Sequence, residues 1–502
     1  MSLTKLARPF FLHRARQIDR YATETQSIQL SVLSRLIRKG AQTVYGAERG
    51  LREGASYDEF TSHIGVNTYE DLKADIDRMR HGESDVLCPG KVRWYAKSSG
   101  TTNDKSKFIP VTQKGLRDTH YKGASDAVAL YLRNNPESRI FDGKALILGG
   151  SHQSNYNLPH SLVGDLSAIL IENINPLVNL VRIPDKATAL LADFEEKRDR
   201  IARVALNAKV TNISGVPSWM MSVLTRMMEI SGKKNLAEIW PDIEVFFHGG
   251  IAFTPYRKLY EQMFPTPKMH YMETYNASEG FFGLQDDPQD KSMLLMLDYG
   301  VFYEFIPLED VGKEMPTVVP LWDVELGRNY AMLITTSSGL WRYQIGDTVR
   351  FTSANPYKFV ISGRTKSFIN AFGEELIVDN AERGLEKACA QTGAVVREYT
   401  AAPVFMNTEG KCRHQWVIEF AKKPQDVAAF AKILDSELQN LNSDYEAKRY
   451  KDITLQPLEI IVAREGLFSD WLKSRGKLGG QNKVPRLSNT REHIEKIIAM
   501  NV

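Results

Sequence analysis

IEVFFHGGIAFTPYRKLYEQMFPTPKMHYMETYNASEG, residues 243–280, decides the fold reading. A short apolar run closed by paired glycines, IEVFFHGG, reads as a buried strand. TPYRKLYEQMF follows at helical spacing, and KMHYMETYN is a strand again. The same alternation extends upstream through strand KALILGG, charged helix ALLADFEEKRDRIARVAL, strand KVTNISGVP and helix SWMMSVLTRMMEI. Strands alternating with helices imply mostly parallel sheets covered by helices. From about Asp298 the pattern turns to dense β alternation in YGVFYEFIPL, YAMLITTSSGLWRYQIGDTVRF, YKFVISGR and KSFINAFGEEL, an antiparallel or barrel-like section. Beyond Gly363, helices at 378–390 and 426–441 interleave with strands VREYTAAPVF, HQWVIEF and QPLEIIV. The expected architecture is therefore α/β. A large domain, 1–362, combines helix-flanked β-sheets with the barrel-like section, and a small α+β domain, 363–502, follows a junction at 363–367.

Composition narrows the function. The chain has 502 residues, 25% charged and 43% hydrophobic, which suits two or three globular domains and excludes disordered and fibrous classes. Lys and Arg number 64 against 61 Asp and Glu, a net charge of +3, far from the basic balance of a protein that tracks phosphate backbones. No nucleic-acid partner is expected. Cys88, Cys389 and Cys412 are widely spread without metal-ligand spacing, which fits a reducing, cytoplasmic setting and no zinc site. No stretch approaches the ~18 apolar residues of a membrane helix, so no membrane partner is expected either. The basic N-terminus, with Arg8, Arg14, Arg16 and Arg20, continues in helical register through Ile28, Val32, Leu33 and Leu36. It reads as a structural helix packed on the large domain.

Five short constellations carry chemistry. Ser98, Ser99, Gly100, Thr101 and Thr102, trailed by Lys105 and Lys107, lie between a strand and a helix. Hydroxyls, glycine-permitted backbone amides and lysines are what a polyphosphate needs, though the Walker A spacing is absent. Tyr275, Asn276, Ser278 and Glu279 follow a strand: a ring face for a purine, a hydroxyl for a phosphate oxygen and a hard oxygen ligand for Mg2+. Asp347, in RYQIGD, has two acceptor oxygens suited to the hydroxyls of a ribose. Arg364 and Lys366 lie in GRTKS, ahead of AFGEEL, and Lys483 lies in GGQNKVPR after flexible glycines. Each alone is as easily a turn, a solvated carboxylate or a basic tail. SWMMSVL, at 218–224, is either an acyl pocket or ordinary core.

Taken as an ordered set, these motifs resemble the adenylate-forming enzyme superfamily. Within it the chain is similar to the Gretchen-Hagen-type acyl acid amido synthetases, a family of plant hormone-conjugating enzymes and their bacterial relatives. SSGTT resembles that family's phosphate loop, YNASEG its nucleotide motif, RYQIGD its ribose motif and QNKVPR its C-terminal lysine motif. Even QTVYG, SYDEF and TYEDL near the start look like its N-terminal region. The resemblance implies a large domain hinged to a mobile small one. It further implies that Ser98, Ser99, Gly100, Thr101 and Thr102 line the triphosphate of ATP, with Tyr275, Asn276 and Ser278 at adenine and α-phosphate. Glu279 would hold Mg2+, Asp347 and Arg364 the ribose, and Lys483 the reacting phosphate and carboxylate oxygens, Glu279 and Lys483 thus being the catalytic pair.

The implied reaction is the adenylation of a small carboxylic acid, then transfer of the acyl group to an amino acid or other amine. Attack of a carboxylate oxygen on the α-phosphorus of ATP replaces an oxide leaving group with AMP, and no protein nucleophile is needed. Two alternatives stay open at this level: transfer to the thiol of coenzyme A, and an ATP-binding module without catalysis.

Overall fold

The structure is a computed structural model that describes residues 2–99, 106–251, 253–365, 368–374, 376–405, 412–452, 455–474 and 484–501. The chain divides into two compact units. The first comprises Met1–Ser98, Phe108–Phe253 and Arg257–Thr365, and the second Ser99–Lys107, Thr254–Tyr256 and Lys366–Val502.

The first unit is organised by one 12-stranded sheet. Its parallel half runs in the order Arg182–Ile183, Lys144–Ile147, Val210–Gly215, Val245–Gly249 and His270–Ala277. Val210, Ile213, Val245, Phe246 and Met272 are buried, as strands covered on both faces require. Helices Phe194–Leu206, Pro217–Ser231 and Thr254–Met263 supply the connections. Proline stands at the start of Pro217–Ser231, where its missing N–H costs nothing, and left-handed Gly232 ends it. Met220, Met221, Val223 and Leu224 of that helix are core, so the SWMMSVL run is packing.

At His270–Ala277 the sheet changes character. Its next neighbour, Gly280–Leu284, is antiparallel, and antiparallel pairing continues through Met293–Leu295, Tyr357–Arg364, Tyr343–Ala354, Asn329–Thr336, Val301–Pro307 and Val319–Pro320. The Tyr275 hydroxyl nevertheless donates to Asp347 Oδ2, although three strands intervene between theirs in the ladder. Four ladder steps of about 4.8 Å make roughly 19 Å on a flat sheet, beyond a tyrosine's reach. The antiparallel half therefore curls over, and it does so around an aromatic core that includes Phe282, Tyr303, Phe305, Phe351 and Phe359. A separate three-stranded sheet holds Trp94–Ser99 between Ser106–Val111 and Leu162–Gly164.

Helices Leu3–Ile18 and Tyr21–Gly40 pack on this unit as the periodicity suggests. Arg14 bridges Asp126 at 2.8 Å and Asp298 at 2.9 Å. Buried Gln29 donates to the carbonyls of Leu297 and Val301, at 2.7 and 3.0 Å, and accepts from the Tyr303 amide at 3.0 Å. No described helix is long and apolar enough to cross a membrane.

The second unit carries the sheet Val395–Val404, Arg413–Lys422 and Glu459–Ala463, antiparallel then parallel. Helices Val378–Thr392 and Val427–Leu441 lie where the sequence places them, the latter capped by Asp426. Three shorter helices, Ser443–Arg449, Leu467–Ser474 and Glu492–Ala499, escaped the sequence reading. KSFINAFGEEL does not extend the β-rich section: among the described residues only Phe368–Ile369 and Leu376–Ile377 pair there. Between them Gly373 takes φ +89°, and buried Glu374 accepts from the Phe372 amide at 2.7 Å and from the Ala371 amide at 3.3 Å. That captured turn breaks the strand. The same carboxylate meets His414 Nε2 at 2.7 Å, both side chains fully buried.

In the first unit Arg342, at φ +43°, buries its guanidinium against Glu304 at 2.9 Å and donates to the Ile64 carbonyl at 2.8 Å. Tyr57 also donates to Glu304, at 3.0 Å. Removing one member of such a pair leaves a buried charge uncompensated. Arg342→Ala is expected to cost about 3 to 5 kcal/mol, seen as a clearly lowered thermal unfolding midpoint. Arg20→Ala, which breaks the exposed Arg20–Glu24 pair, should leave the midpoint where it is.

Candidate active site

The strand His270–Ala277 and its partner Gly280–Leu284 are joined by only two residues, Ser278 and Glu279, with Ala277 opposite Gly280. So short a turn holds both side chains on a rigid hairpin tip. They line a small cleft together with Pro110, Val111, Thr119, His120 and the Thr336–Ser338 turn, with about 10 Å³ of room, enough for one water molecule.

Asn276, on the same strand, accepts through Oδ1 from His120 Nδ1 at 2.9 Å. Tyr275, one residue earlier, donates to Asp347. Asp347 is buried and stands opposite Arg364 in the antiparallel register, while Gly346 takes φ +93° and its carbonyl accepts from the Thr365 amide at 2.9 Å. Asp347 thus sits on a fixed, sharply turned strand and not at a frayed loop tip.

Of the residues singled out in the sequence, Tyr275, Asn276, Ser278, Glu279 and Asp347 come together, and the backbone of Arg364 lies beside Asp347. Ser98 is the last residue but one of the strand Trp94–Ser99 in the separate small sheet, and no hydrogen bond among the described residues ties it to the hairpin. Gly100, Thr101, Thr102, Lys105, Lys366 and Lys483 lie outside the described residues, as do the side chains of Ser99 and Arg364. Among the described residues no group of three His, Cys, Asp or Glu side chains could hold a metal ion alone. A single hairpin carboxylate beside a hydroxyl fits a magnesium ion whose other ligands are phosphate oxygens and water.

His120, Thr119 and Ser337–Ser338 were missed. The first two sit on the π-helical turn Leu116–Tyr121, set between helical Gln113–Gly115 and Lys122–Asn134. Such a turn inserts a residue and rotates the side chains after it, so a regular helical projection misassigns its faces. Gly115 is needed there, because a Cβ would come within 2.8 Å of Ser338 Oγ across the cleft.

Three family models cover nearly the whole length: the GH3 family N-terminal domain matches residues 14–269, the central domain 294–364 and the C-terminal domain 379–492. The chain belongs to the GH3 family. It is 25% identical to the indole-3-acetic acid-amido synthetase GH3.4 of Arabidopsis thaliana, over 93% of this chain and 90% of that protein. It is 24% identical to the 4-substituted benzoates-glutamate ligase GH3.12 of the same plant, over 94% of each. Among solved structures it is similar in fold to the AtGH3.15 acyl acid amido synthetase in complex with 2,4-DB, with TM-score 0.62 and 20% identity over 97% and 96% of the two chains. The family expected from the ordered motifs is the family found.

Two buried histidines of this GH3 chain are held neutral. Burial lowers the pKa of His120 to about 4 and that of His248 to about 3, the latter stacked on Phe253 at 4.0 Å with neither ring nitrogen partnered among the described residues. Beside His248 in the strand register, burial raises the carboxyl of Glu273. An unfolded chain protonates histidine near 6.5, so between about 6.5 and 4 it binds more protons than the folded one, and stability falls as pH falls. The unfolding midpoint is expected to drop across that window, and His248→Phe to drop less steeply. A parallel response of variant and wild type would contradict this.

Proposed function

We propose that the residues of this site divide the family's reaction among them as follows. The chain is a ligase, an acyl acid-amido synthetase of the adenylate-forming kind: it uses ATP to convert a carboxylic acid to an acyl-AMP and passes the acyl group to an amino acid. The observation that carries the residue assignment is the hairpin: Tyr275, Asn276, Ser278 and Glu279 on one rigid turn, joined through Tyr275 to Asp347 and through Asn276 to His120.

In this reading Tyr275 and Asn276 border the adenine, Asp347 accepts from the ribose hydroxyls with Arg364 beside it, and Ser278 donates to the α-phosphate. Ser98, Ser99, Gly100, Thr101 and Thr102 hold the triphosphate. Glu279 holds Mg2+, which when bound supplies positive charge to the phosphates. With the carboxylate held in line with the α-phosphorus, its oxygen forms the new P–O bond and pyrophosphate departs. Lys483, a compact point charge, offsets the charge developing on the phosphate and carboxylate oxygens. The incoming amine then adds to the acyl carbon and AMP leaves with the carboxylate's oxygen, which yields the amide.

The domain division proposed is 1–362 for ATP and acid, and 363–502 for the lysine, with 363–367 as hinge. The Cys88 and Cys412 thiols are buried and their pKa values are raised by burial, so neither offers a thiolate as an alternative acyl carrier.

The test is ATP/pyrophosphate exchange driven by a panel of acids, followed by amide formation with a panel of amino acids. Lys483→Ala is expected to lower exchange by a factor on the order of 100 or more, as loss of one preorganised electrostatic contact does. ATP affinity and transfer from pre-formed acyl-adenylate should survive much better. Equal loss in both half-reactions would remove the lysine's specific role. Asp347→Ala should instead weaken ATP binding by roughly 1.5 to 3 kcal/mol in calorimetry.

A further inference from the structure

The hairpin that carries Ser278 and Glu279 is not a regular one. Tyr275 stands opposite Gly283 but Asn276 stands opposite Phe281, so Phe282 is an extra residue on the returning strand, and its ring meets that of Tyr275 edge-on with centroids 5.1 Å apart. A bulge of this kind interrupts the ladder and increases the local twist, which re-aims the side chains beside it. Two rungs lie beyond the bulge, Asn276–Phe281 and Ala277–Gly280, and then the tip. The ladder fixes the tip's own shape, but its aim relative to the rest of the sheet needs a hold from outside the ladder.

That hold is found at the first rung past the bulge. His120 Nδ1 meets Asn276 Oδ1 at 2.9 Å, and because an amide oxygen can only accept, Nδ1 carries the hydrogen. The His120 side chain is buried. Across the same rung, Phe281 packs edge-on against Tyr299 with centroids 6.0 Å apart, and it lies so close over Gly123 that a Cβ there would come within 2.5 Å of its ring. The turn that bears His120 is itself fastened. Thr119 Oγ1 donates to the Tyr299 carbonyl at 2.7 Å, the Tyr299 hydroxyl donates to Asp126 Oδ2 at 2.8 Å, and Asp126 meets Arg14 at 2.8 Å. A rigid support therefore reaches the hairpin where its ladder is irregular.

We propose that His120 is a positioning residue: by holding Asn276 it aims the bulged tip, so that the Glu279 carboxylate and the Ser278 hydroxyl stand where the phosphates of Mg-ATP arrive. This rests on the reading of the hairpin as the nucleotide's site, and it goes beyond that reading by naming what sets the hairpin's aim. His120 acts through Asn276, as residues behind a metal ligand do, and loss of such a support costs about 10- to 100-fold in metal affinity.

The test uses the full-length protein and calorimetric titration of ATP with and without Mg2+, a comparison that needs no acid. In the wild type Mg2+ is expected to tighten ATP binding, and Glu279→Gln to remove most of that gain. His120→Leu should weaken binding of ATP in the presence of Mg2+ by about tenfold while leaving the magnesium-free affinity within about twofold. His120→Asn, whose amide nitrogen stands where Nδ1 does, should recover most of the loss, which a merely structural role for the ring would not give. Asn276→Ala should lose the magnesium gain in the same way, and adding it to His120→Leu should remove no more of the gain. If His120→Leu keeps the full gain, or if His120→Asn does no better than His120→Leu, the inference is overturned while the role of Glu279 stands. If His120→Leu does not fold, judged by its thermal unfolding, Asn276→Ala decides, and a full gain there overturns the inference. Wild-type protein that binds ATP no better with Mg2+ than without it overturns the metal role of Glu279 and this inference with it.

Discussion

The hydrogen bond from Tyr275 to Asp347 joins two strands that are four steps apart in one continuous sheet. That contact exists only because the antiparallel half curls back over its own aromatic core, and the curl begins where His270–Ala277 exchanges a parallel neighbour for an antiparallel one. The change of partner has a second consequence. Parallel strands need long crossovers, but an antiparallel pair closes in two residues, and those two are Ser278 and Glu279. The candidate hairpin is the place where the sheet changes kind, with Tyr275, Asn276 and Asp347 mounted on its strands.

That origin explains which parts were legible in the sequence. The parallel half announces itself because buried strands such as VFFHG are apolar runs closed by glycines, and because helices separate them. Helices with clear caps, such as Val427–Leu441 after Asp426, were equally visible. The curl was not, since it is a sum of small twists that no single residue encodes. Nor was the turn at Gly373, where a buried carboxylate captures backbone amides and ends a strand that hydropathy alone would continue. Tyr275, Ser278, Glu279 and Asp347 were singled out from the sequence as motifs; Tyr275 and Asp347 lie within strands and Ser278 and Glu279 in the turn between two of them. His120 was hidden inside a helical segment whose π-helical turn shifts its faces, and its partner Asn276 lies 156 residues away.

Chemically, the described part of the site is sparing in charge. Asp347 is tied to a tyrosine, His120 is neutral, and no basic side chain among the described residues lines the cleft. Such an environment suits a reaction whose charge arrives with its substrates: the nucleotide brings four negative charges, and the acid brings one more. The protein's part is then to hold the two anions in line and to keep competing nucleophiles away from the acyl phosphate ester, which is positioning more than acid–base catalysis.

The central claim is that the acid's own oxygen attacks the α-phosphorus. It is tested most directly by supplying the acid with heavy oxygen in its carboxylate, letting the full reaction with an amino acid run, and weighing the nucleotide product by mass spectrometry. The account predicts AMP carrying one labelled oxygen, with unlabelled pyrophosphate. Label in inorganic phosphate alongside ADP, or AMP free of label, would contradict it.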